Sequence, residues 1–243
     1  MKETRFFYVP NASISEELPE EEALHALRVL RLNVGDEIVL MDGCGKYYNA
    51  EVTFASNKRC VYKILEEHPQ KCQWARHYHI AIAPTKMMER MEWMVEKATE
   101  IGIDEFSFLN CKFSERRIIK LPRIDKIVIS AIKQSHKAWK PQVNDMIAFK
   151  QFISTPRAGL KFIAHCYTEI PRKYFFDELK TQGQMDDVTV LIGPEGDFSI
   201  EEVRLAIDKG YVPVHLGESR FRTETAAIAA LMMMQLSDKL NGK

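Results

Sequence analysis

Two glycine-bearing segments in the last third of the chain carry the residues whose types and spacing could do chemistry. The first, Leu191-Ile192-Gly193-Pro194-Glu195-Gly196-Asp197-Phe198-Ser199, leaves an apolar stretch and enters Ser199-Ile200-Glu201-Glu202, a capping box that opens a helix. Glycine lets a ligand approach the main chain closely, and a helix start offers N–H groups with no partner inside the helix. A plain strand-to-helix connection needs one glycine, whereas Gly-Pro-Glu-Gly-Asp builds a shaped, acidic loop where α/β sheets bind ligands. The second, Leu216-Gly217-Glu218-Ser219-Arg220-Phe221-Arg222-Thr223-Glu224-Thr225-Ala226, also leaves a strand and enters a helix. Thr223 or Thr225 can cap that helix. Capping does not explain Arg220 and Arg222, two guanidinium groups suited to a phosphate or to an anionic transition state.

Other site signatures are missing. No Gly-x-Gly-x-x-Gly follows a strand, and the sequence holds no P-loop, Gly-x-Ser-x-Gly or His-Glu-x-x-His. Five cysteines, at 44, 60, 72, 111 and 166, form no Cys-x-x-Cys pair, and the seven histidines do not cluster with them. Neither a zinc site nor a disulfide framework is expected, and no metal is assigned.

The elements that must position these loops fall into two groups. Residues 1–68 read as a small β-rich unit. Arg5–Val9 is a strand, Glu20–Leu30 a short helix, Glu37–Met41 and Tyr47–Val52 a hairpin through Asp42-Gly43, and Cys60–Leu65 a further strand. Several short strands around one helix suggest a compact barrel. Glu66–Lys71 reads as a polar linker. From 72 to 243 strands and helices alternate: strands at 79–83, 106–109, 160–164, 188–192 and 211–216, and helices at 87–101, 124–138, 199–209 and 223–240. Apolar strands alternating with helices predict a mostly parallel sheet covered on both faces.

The 243 residues are 46% hydrophobic and 28% charged, with 34 basic and 34 acidic side chains. The nine-residue run 226–234 is far short of the roughly 20 apolar residues that cross a bilayer. The charged start Met1–Arg5 leads into no apolar stretch of signal-peptide length, so a soluble, cytoplasmic protein is expected. Zero net charge hides an asymmetry: residues 1–70 carry −4, 71–150 carry +6 and 151–243 carry −2. The stripe from Lys112 to Lys140, with Arg116, Arg117, Lys120, Arg123, Lys126, Lys133 and Lys137, is the footprint expected of a phosphate-binding surface. A solvated helix face would produce the same run of charge.

Together the two glycine segments resemble the C-terminal half of the SPOUT methyltransferases, and more narrowly the RsmE family, which methylates N3 of one uridine in 16S ribosomal RNA. The match extends along the chain. His25-Ala26-Leu27-Arg28-Val29-Leu30-Arg31, Val34-Gly35-Asp36 and Asp42-Gly43 resemble that family's PUA-like domain. Lys86, Glu92–Gly102, Ser114-Glu115-Arg116 and Gln134-Ser135 resemble its catalytic domain. The chain departs from the family pattern at Lys133 and from Ser219 to Phe221.

The resemblance implies an α/β fold: a SPOUT-type trefoil-knotted α/β methyltransferase domain at 72–243 preceded by a small PUA-like RNA-binding β-barrel at 1–68. It implies S-adenosyl-L-methionine as cofactor, 16S rRNA within the small ribosomal subunit as substrate, and a homodimer formed through the last helix. Carried onto this sequence, the knot loops begin at His165, Ile192 and Leu216. Leu216, Gly217 and Phe221 would meet the adenine, and Gly193 and Glu195 the ribose and amino-acid parts. His165, Ile192, Pro194, Gly196 and Thr223 complete the cofactor set, with Gly196 and Gly217 where main chain and cofactor nearly touch. Uracil N3 is a poor nucleophile while protonated, so a base or a cation is required. Arg222 and Arg220 are the candidate cations. Glu195 and Glu224 are candidate bases that could equally hold the cofactor's ammonium or orient an arginine. His25, Arg28, Arg31, Arg116, Arg117 and Lys120 are expected to touch RNA. Two alternatives remain at this level: a SPOUT enzyme acting on a ribose 2′-hydroxyl or another RNA, and a non-catalytic RNA-binding protein.

Overall fold

The computed structural model describes residues 5–74, 76–181 and 187–240; the charged start 1–4 lies outside them. The chain divides into two compact units, Met1–Cys72 with Ile129–Lys140, and Gln73–Val128 with Pro141–Lys243.

In the first unit, β1 (Phe6–Tyr8), β2 (Glu37–Met41), β3 (Lys46–Ser56) and β4 (Arg59–Pro69) form a four-stranded sheet in that order. β1 pairs parallel with β2, and the other pairs are antiparallel. The pairings found among the described residues are those of an open sheet, and closure into the expected barrel is not among them. Asp42 sets the β2–β3 turn by accepting the Cys44 and Lys46 backbone N–H groups at 2.7 and 3.1 Å. The expected linker is a correction. Glu66–Pro69 continue β4 and pair with Lys46–Asn49. An exposed ladder tolerates charge on its solvent side, here the Lys46–Glu67 pair at 2.5 Å. The first helix, α1 (Glu20–Leu24), continues as a π-helical stretch over His25–Val29. Phe7, Leu18, Ala23, Leu40, Tyr48 and Tyr62 form part of the core beneath.

The second unit is built on a seven-stranded sheet that is parallel throughout. β5 (His77–Ile82), β6 (Glu105–Asn110), β7 (Gln142–Ala148), β8 (Leu160–Ala164), β9 (Lys173–Tyr174), β10 (Asp187–Ile192) and β11 (Val212–His215) lie in the order β7-β6-β5-β10-β8-β11-β9. The helices are α2 (Met88–Ile101), α3 (Leu121–Ser135), α4 (Phe149–Ser154), α5 (Phe175–Thr181), α6 (Ile200–Asp208) and α7 (Thr223–Leu240). The second half of α3 groups with the first unit. Parallel pairs need crossovers, and the helices supply them while covering the apolar strands. β5 is buried at five of its six positions, which is why it reads as a continuous apolar run. Sequence reading misses β7, α4, β9 and α5.

The periodicity of α2 is as expected: Met91, Met94, Val95 and Ala98 are buried, and Gly102 ends the helix at φ 116°. α7 buries Ala227, Ala230, Leu231 and Met234 and leaves Met232, Leu236 and Leu240 exposed. No helix among the described residues is long and apolar enough to cross a membrane.

The capping box at α6 is formed in both directions. Ser199 Oγ accepts the Glu202 N–H at 3.3 Å, and Glu202 Oε2 accepts the Ser199 N–H at 2.8 Å. Glu202 Oε1 also accepts the Lys112 N–H at 2.8 Å. Ser199→Ala should lower stability by about 1 kcal/mol. Glu202→Ala should cost more, because the buried Ser199 N–H and the partly buried Lys112 N–H both lose their acceptor. Urea unfolding of the two variants checks the order.

Candidate functional site

Strand register brings the two glycine segments together. β8 lies between β10 and β11, with Ile192 beside Ala164 and Ala164 beside Val214. The chain leaves these three neighbours at one edge, through Gly193, His165 and the segment after His215. That edge lies at the carboxyl ends of parallel strands, where such sheets hold ligands.

Side chains then fasten one loop to another. Asp197 adopts φ 65°, a left-handed conformation that Asp tolerates better than most residues. Its carboxylate accepts the Cys166 N–H and its neighbour Phe198's N–H, each at 2.7 Å, tying the loop after β8 to the loop after β10. Arg172 donates to the His165 carbonyl at 2.6 Å. Thr223 donates to the Gly193 carbonyl at 3.1 Å, joining the start of α7 to the loop after β10. Thr223 is therefore not the cap its position suggests; α7 starts with the Ala226 N–H bonded to the Arg222 carbonyl.

A cavity of about 420 Å³ opens among these loops. Its wall includes every expected catalytic residue: Arg220, Arg222, Glu195 and Glu224. It also includes Ile192, Gly193, Pro194, Leu216, Gly217, Phe221, Thr223 and His165 from the expected cofactor set. Gly196 is the exception. It is not in the cavity wall, and a Cβ there would sit 3.1 Å from the Phe113 Cβ, a contact tight enough that Phe113 would have to give by a few tenths of an ångström. Gly217 has φ 136° and nothing within 4 Å of its would-be Cβ, so that position faces open space.

The carboxylates are unequal. Glu195 is exposed but accepts the Lys86 N–H at 2.9 Å. Glu224 is 7% exposed, lies 3.7 Å from Arg90 Nε, and keeps its Oε2 buried without a partner. The Arg222 guanidinium is exposed and forms no ion pair or hydrogen bond among the described residues, so a structural salt bridge does not account for it. His165 is 4% exposed with both ring nitrogens unpartnered. Burial holds its pKa down at about 4, with Arg172 opposing and Asp197 favouring the charged ring. Unpartnered buried donors and acceptors in a cavity wall are groups that a ligand can satisfy. Among the described residues no three His, Cys, Asp or Glu side chains gather as a metal site.

Sequence reasoning missed Arg90, Arg172, Asp197 and His215, all in the wall. Asp after Gly-Pro-Glu-Gly was a legible turn signal. Arg90 comes from α2, more than a hundred residues upstream, and nothing local marks it.

The expected RNA contacts divide. His25, Arg28, Arg31, Arg117 and Lys120 are exposed. Arg116 instead turns inward, donating to the Thr85 and Lys86 carbonyls at 3.2 Å and again to Lys86 at 2.6 Å. The basic stripe is partly spent inside the fold: Lys112 pairs with Glu201, Arg123 with Glu92 and Lys133 with Glu22.

Residues 72–235 match the RNA methyltransferase domain family and residues 18–65 the RNA methyltransferase PUA domain. The chain is 30% identical over 214 residues to ribosomal RNA small subunit methyltransferase E of Synechocystis, covering 86% of this chain and 69% of that protein. It is similar to the crystal structure of a probable rRNA-methyltransferase from Porphyromonas gingivalis, at 42% identity and TM-score 0.89 over 98% and 99% of the two chains. It is also similar to ribosomal RNA small subunit methyltransferase E from Neisseria gonorrhoeae bound to S-adenosyl methionine, at 27% identity and TM-score 0.80 over 96% and 98%.

The low pKa of His165 has a signed consequence. Between its ordinary value of 6.5 and about 4, the unfolded chain takes up a proton at this ring that the folded chain refuses. Its contribution to stability is therefore full above pH 6.5 and falls as pH drops toward 4. His165→Gln should lose less stability over that window than the parent, measured by urea unfolding at stepped pH. The ring should titrate near 4 by NMR.

Proposed function

Since the chain belongs to the RNA methyltransferase family, we propose that it methylates N3 of one uridine in 16S ribosomal RNA. At the coarser level it is an S-adenosylmethionine-dependent methyltransferase of small-subunit ribosomal RNA. The observation that carries the finer reading is the single cavity in which both glycine segments, the free Arg222 and the buried Glu224 meet.

The residues present fit the cofactor. The cavity lies within the roughly 300–1,000 Å³ usual for small-molecule sites. Its wall offers apolar Ile192, Leu216 and Phe221 for an adenine, and a buried carboxylate oxygen on Glu224 for an ammonium. When bound, S-adenosylmethionine supplies an electrophilic methyl group. The chain's own part is to hold the nucleophile in line and to stabilise its charge. Arg222 lines the cavity with no carboxylate in ion-pair range, so its guanidinium serves the negative charge that develops on uracil as N3 loses its proton. Glu195 is engaged by Lys86 N–H and suits orientation better than proton transfer. Glu224 has one oxygen beside Arg90 and the other free, and that free oxygen serves either the ammonium or the N3 proton, not both.

The same reading makes the loops after β8, β10 and β11 the three loops of a trefoil knot. It makes the exposed stripe Met232, Leu236 and Leu240 on α7 the dimer face, because apolar side chains spaced four residues apart line one side of a helix. The first unit would supply RNA contacts through Arg28 and Arg31, and the protein would work in the cytoplasm, where ribosomes are assembled.

Arg222→Ala should slow single-turnover methylation of ribosomal RNA about 10²- to 10³-fold with little change in cofactor affinity by calorimetry. Arg222→Lys should recover part of the rate, since a point charge lacks the guanidinium fork. A wild-type rate for the alanine variant at saturating cofactor and RNA would make Arg222 structural. Light scattering at micromolar concentration should give twice the chain mass, and Leu236→Glu should give one chain mass with the fold intact.

A further inference from the structure

An aromatic ring stands exposed beside the Gly-Pro-Glu-Gly loop, outside the wall of the cavity. Phe113 is 45% exposed in the segment that leaves the carboxyl end of β6. Its Cβ backs onto Gly196, where a side chain of any size would meet it at 3.1 Å. An exposed phenyl group in a flexible loop would carry no argument, but this one is held from both sides. Ser114, 5% exposed, accepts the Cys111 N–H at 3.0 Å. The Lys112 N–H is held by Glu202, and the Lys112 ammonium by Glu201 at 3.2 Å. Arg116 fixes the other end through the Thr85 and Lys86 carbonyls, and the Lys86 N–H in turn holds Glu195. One chain of hydrogen bonds thus mounts the ring against the loop that lines the cavity.

The surroundings indicate what the ring is for. Arg117 and Lys120 follow on the same segment, are exposed, and form no ion pair or side-chain hydrogen bond among the described residues. The Lys112 ammonium lies 5.6 Å from the ring centroid. An exposed apolar ring with one cation over it and two unpaired cations four and seven residues further along the chain complements a nucleotide: a flat base for the ring and phosphates for the charges. Methylation at N3 requires the base to leave its stack and pairing, since that atom faces the partner strand in a duplex. We propose that Phe113 is the platform on which the extruded target uracil stacks, with Arg117 and Lys120 taking the phosphates beside it. The inference rests on RNA being the substrate and adds a positioning residue to that reading.

The bland role for Phe113 is to prop Gly196, and the test separates the two. Phe113→Leu keeps apolar bulk against Gly196 but removes the π face; Phe113→Tyr keeps both; Phe113→Ala removes both. Three quantities are measured on the full chain: calorimetric affinity for S-adenosylmethionine, affinity for a single-stranded uridine-bearing fragment of 16S rRNA, and KM and kcat for methylating ribosomal RNA. Stacking predicts that Leu and Ala both weaken fragment binding and raise KM about 5- to 150-fold, that Tyr stays near wild type, and that cofactor affinity stays constant in all three. A leucine variant that binds the fragment like the parent, or an alanine variant that loses cofactor affinity in step with RNA affinity, overturns the platform. If the wild-type chain binds cofactor and fragment but methylates no RNA, the proposed reaction fails, while the binding comparison still decides the role of Phe113.

Discussion

Parallel pairing of β10, β8 and β11 as neighbours is the constraint on which the rest of the site depends. Parallel strands deliver their carboxyl ends to one edge of the sheet, so three loops far apart in sequence emerge side by side there. Adjacency alone would leave three independent loops. Asp197 couples two of them through the Cys166 N–H, and Thr223 couples the third through the Gly193 carbonyl. The Thr223–Gly193 bond is buried, where losing one partner leaves the other unsatisfied, while the Asp197–Cys166 bond is short at 2.7 Å but open to water. The loops therefore hold one shape before any ligand arrives, which is what a reaction governed by positioning requires.

Charge in the cavity follows from which groups the fold has already used. Arg90, Arg172, Arg220 and Arg222 all reach the wall. Arg172 is committed to a carbonyl and Arg90 lies beside Glu224, while Arg222 is left for a ligand. Glu195 and Asp197 are likewise occupied by backbone N–H groups. His165 is kept neutral by burial, so it can offer one donor and one acceptor without adding charge. A zero net charge for the whole chain says nothing about this local balance.

The basic stripe illustrates the same sorting on the surface. Read along the chain, Lys112 to Lys140 is a strongly positive stretch interrupted only by Glu115 and Asp125. In the fold, Lys112, Arg123 and Lys133 face carboxylates and Arg116 faces carbonyls, while Arg117 and Lys120 are exposed without an ion pair on the segment that follows Phe113. Counting charges in sequence overstates what is available to a polyanion, because an ion pair within the fold already neutralises part of it.

Much of the site could be read before folding was considered. The two glycine segments and the capping box at Ser199 are local signals, set by backbone freedom and helix-end hydrogen bonding within a few residues, whereas Thr223 opens α7 while bonding a carbonyl thirty residues away. The apolar strands β5, β8 and β10 were legible because burial on both faces leaves a continuous hydrophobic run. β7 was not, because no position along it is fully buried and its half-exposed residues carry no alternation. The charged end of β4 was misread as a linker because its ladder partners, not its own composition, keep it extended. That Gly196 answers to Phe113, that Arg116 turns inward and that Arg90 joins Glu224 depend on contacts between residues about thirty to more than a hundred positions apart. Such contacts exist only once the strand order is set, and no local window of sequence contains that order.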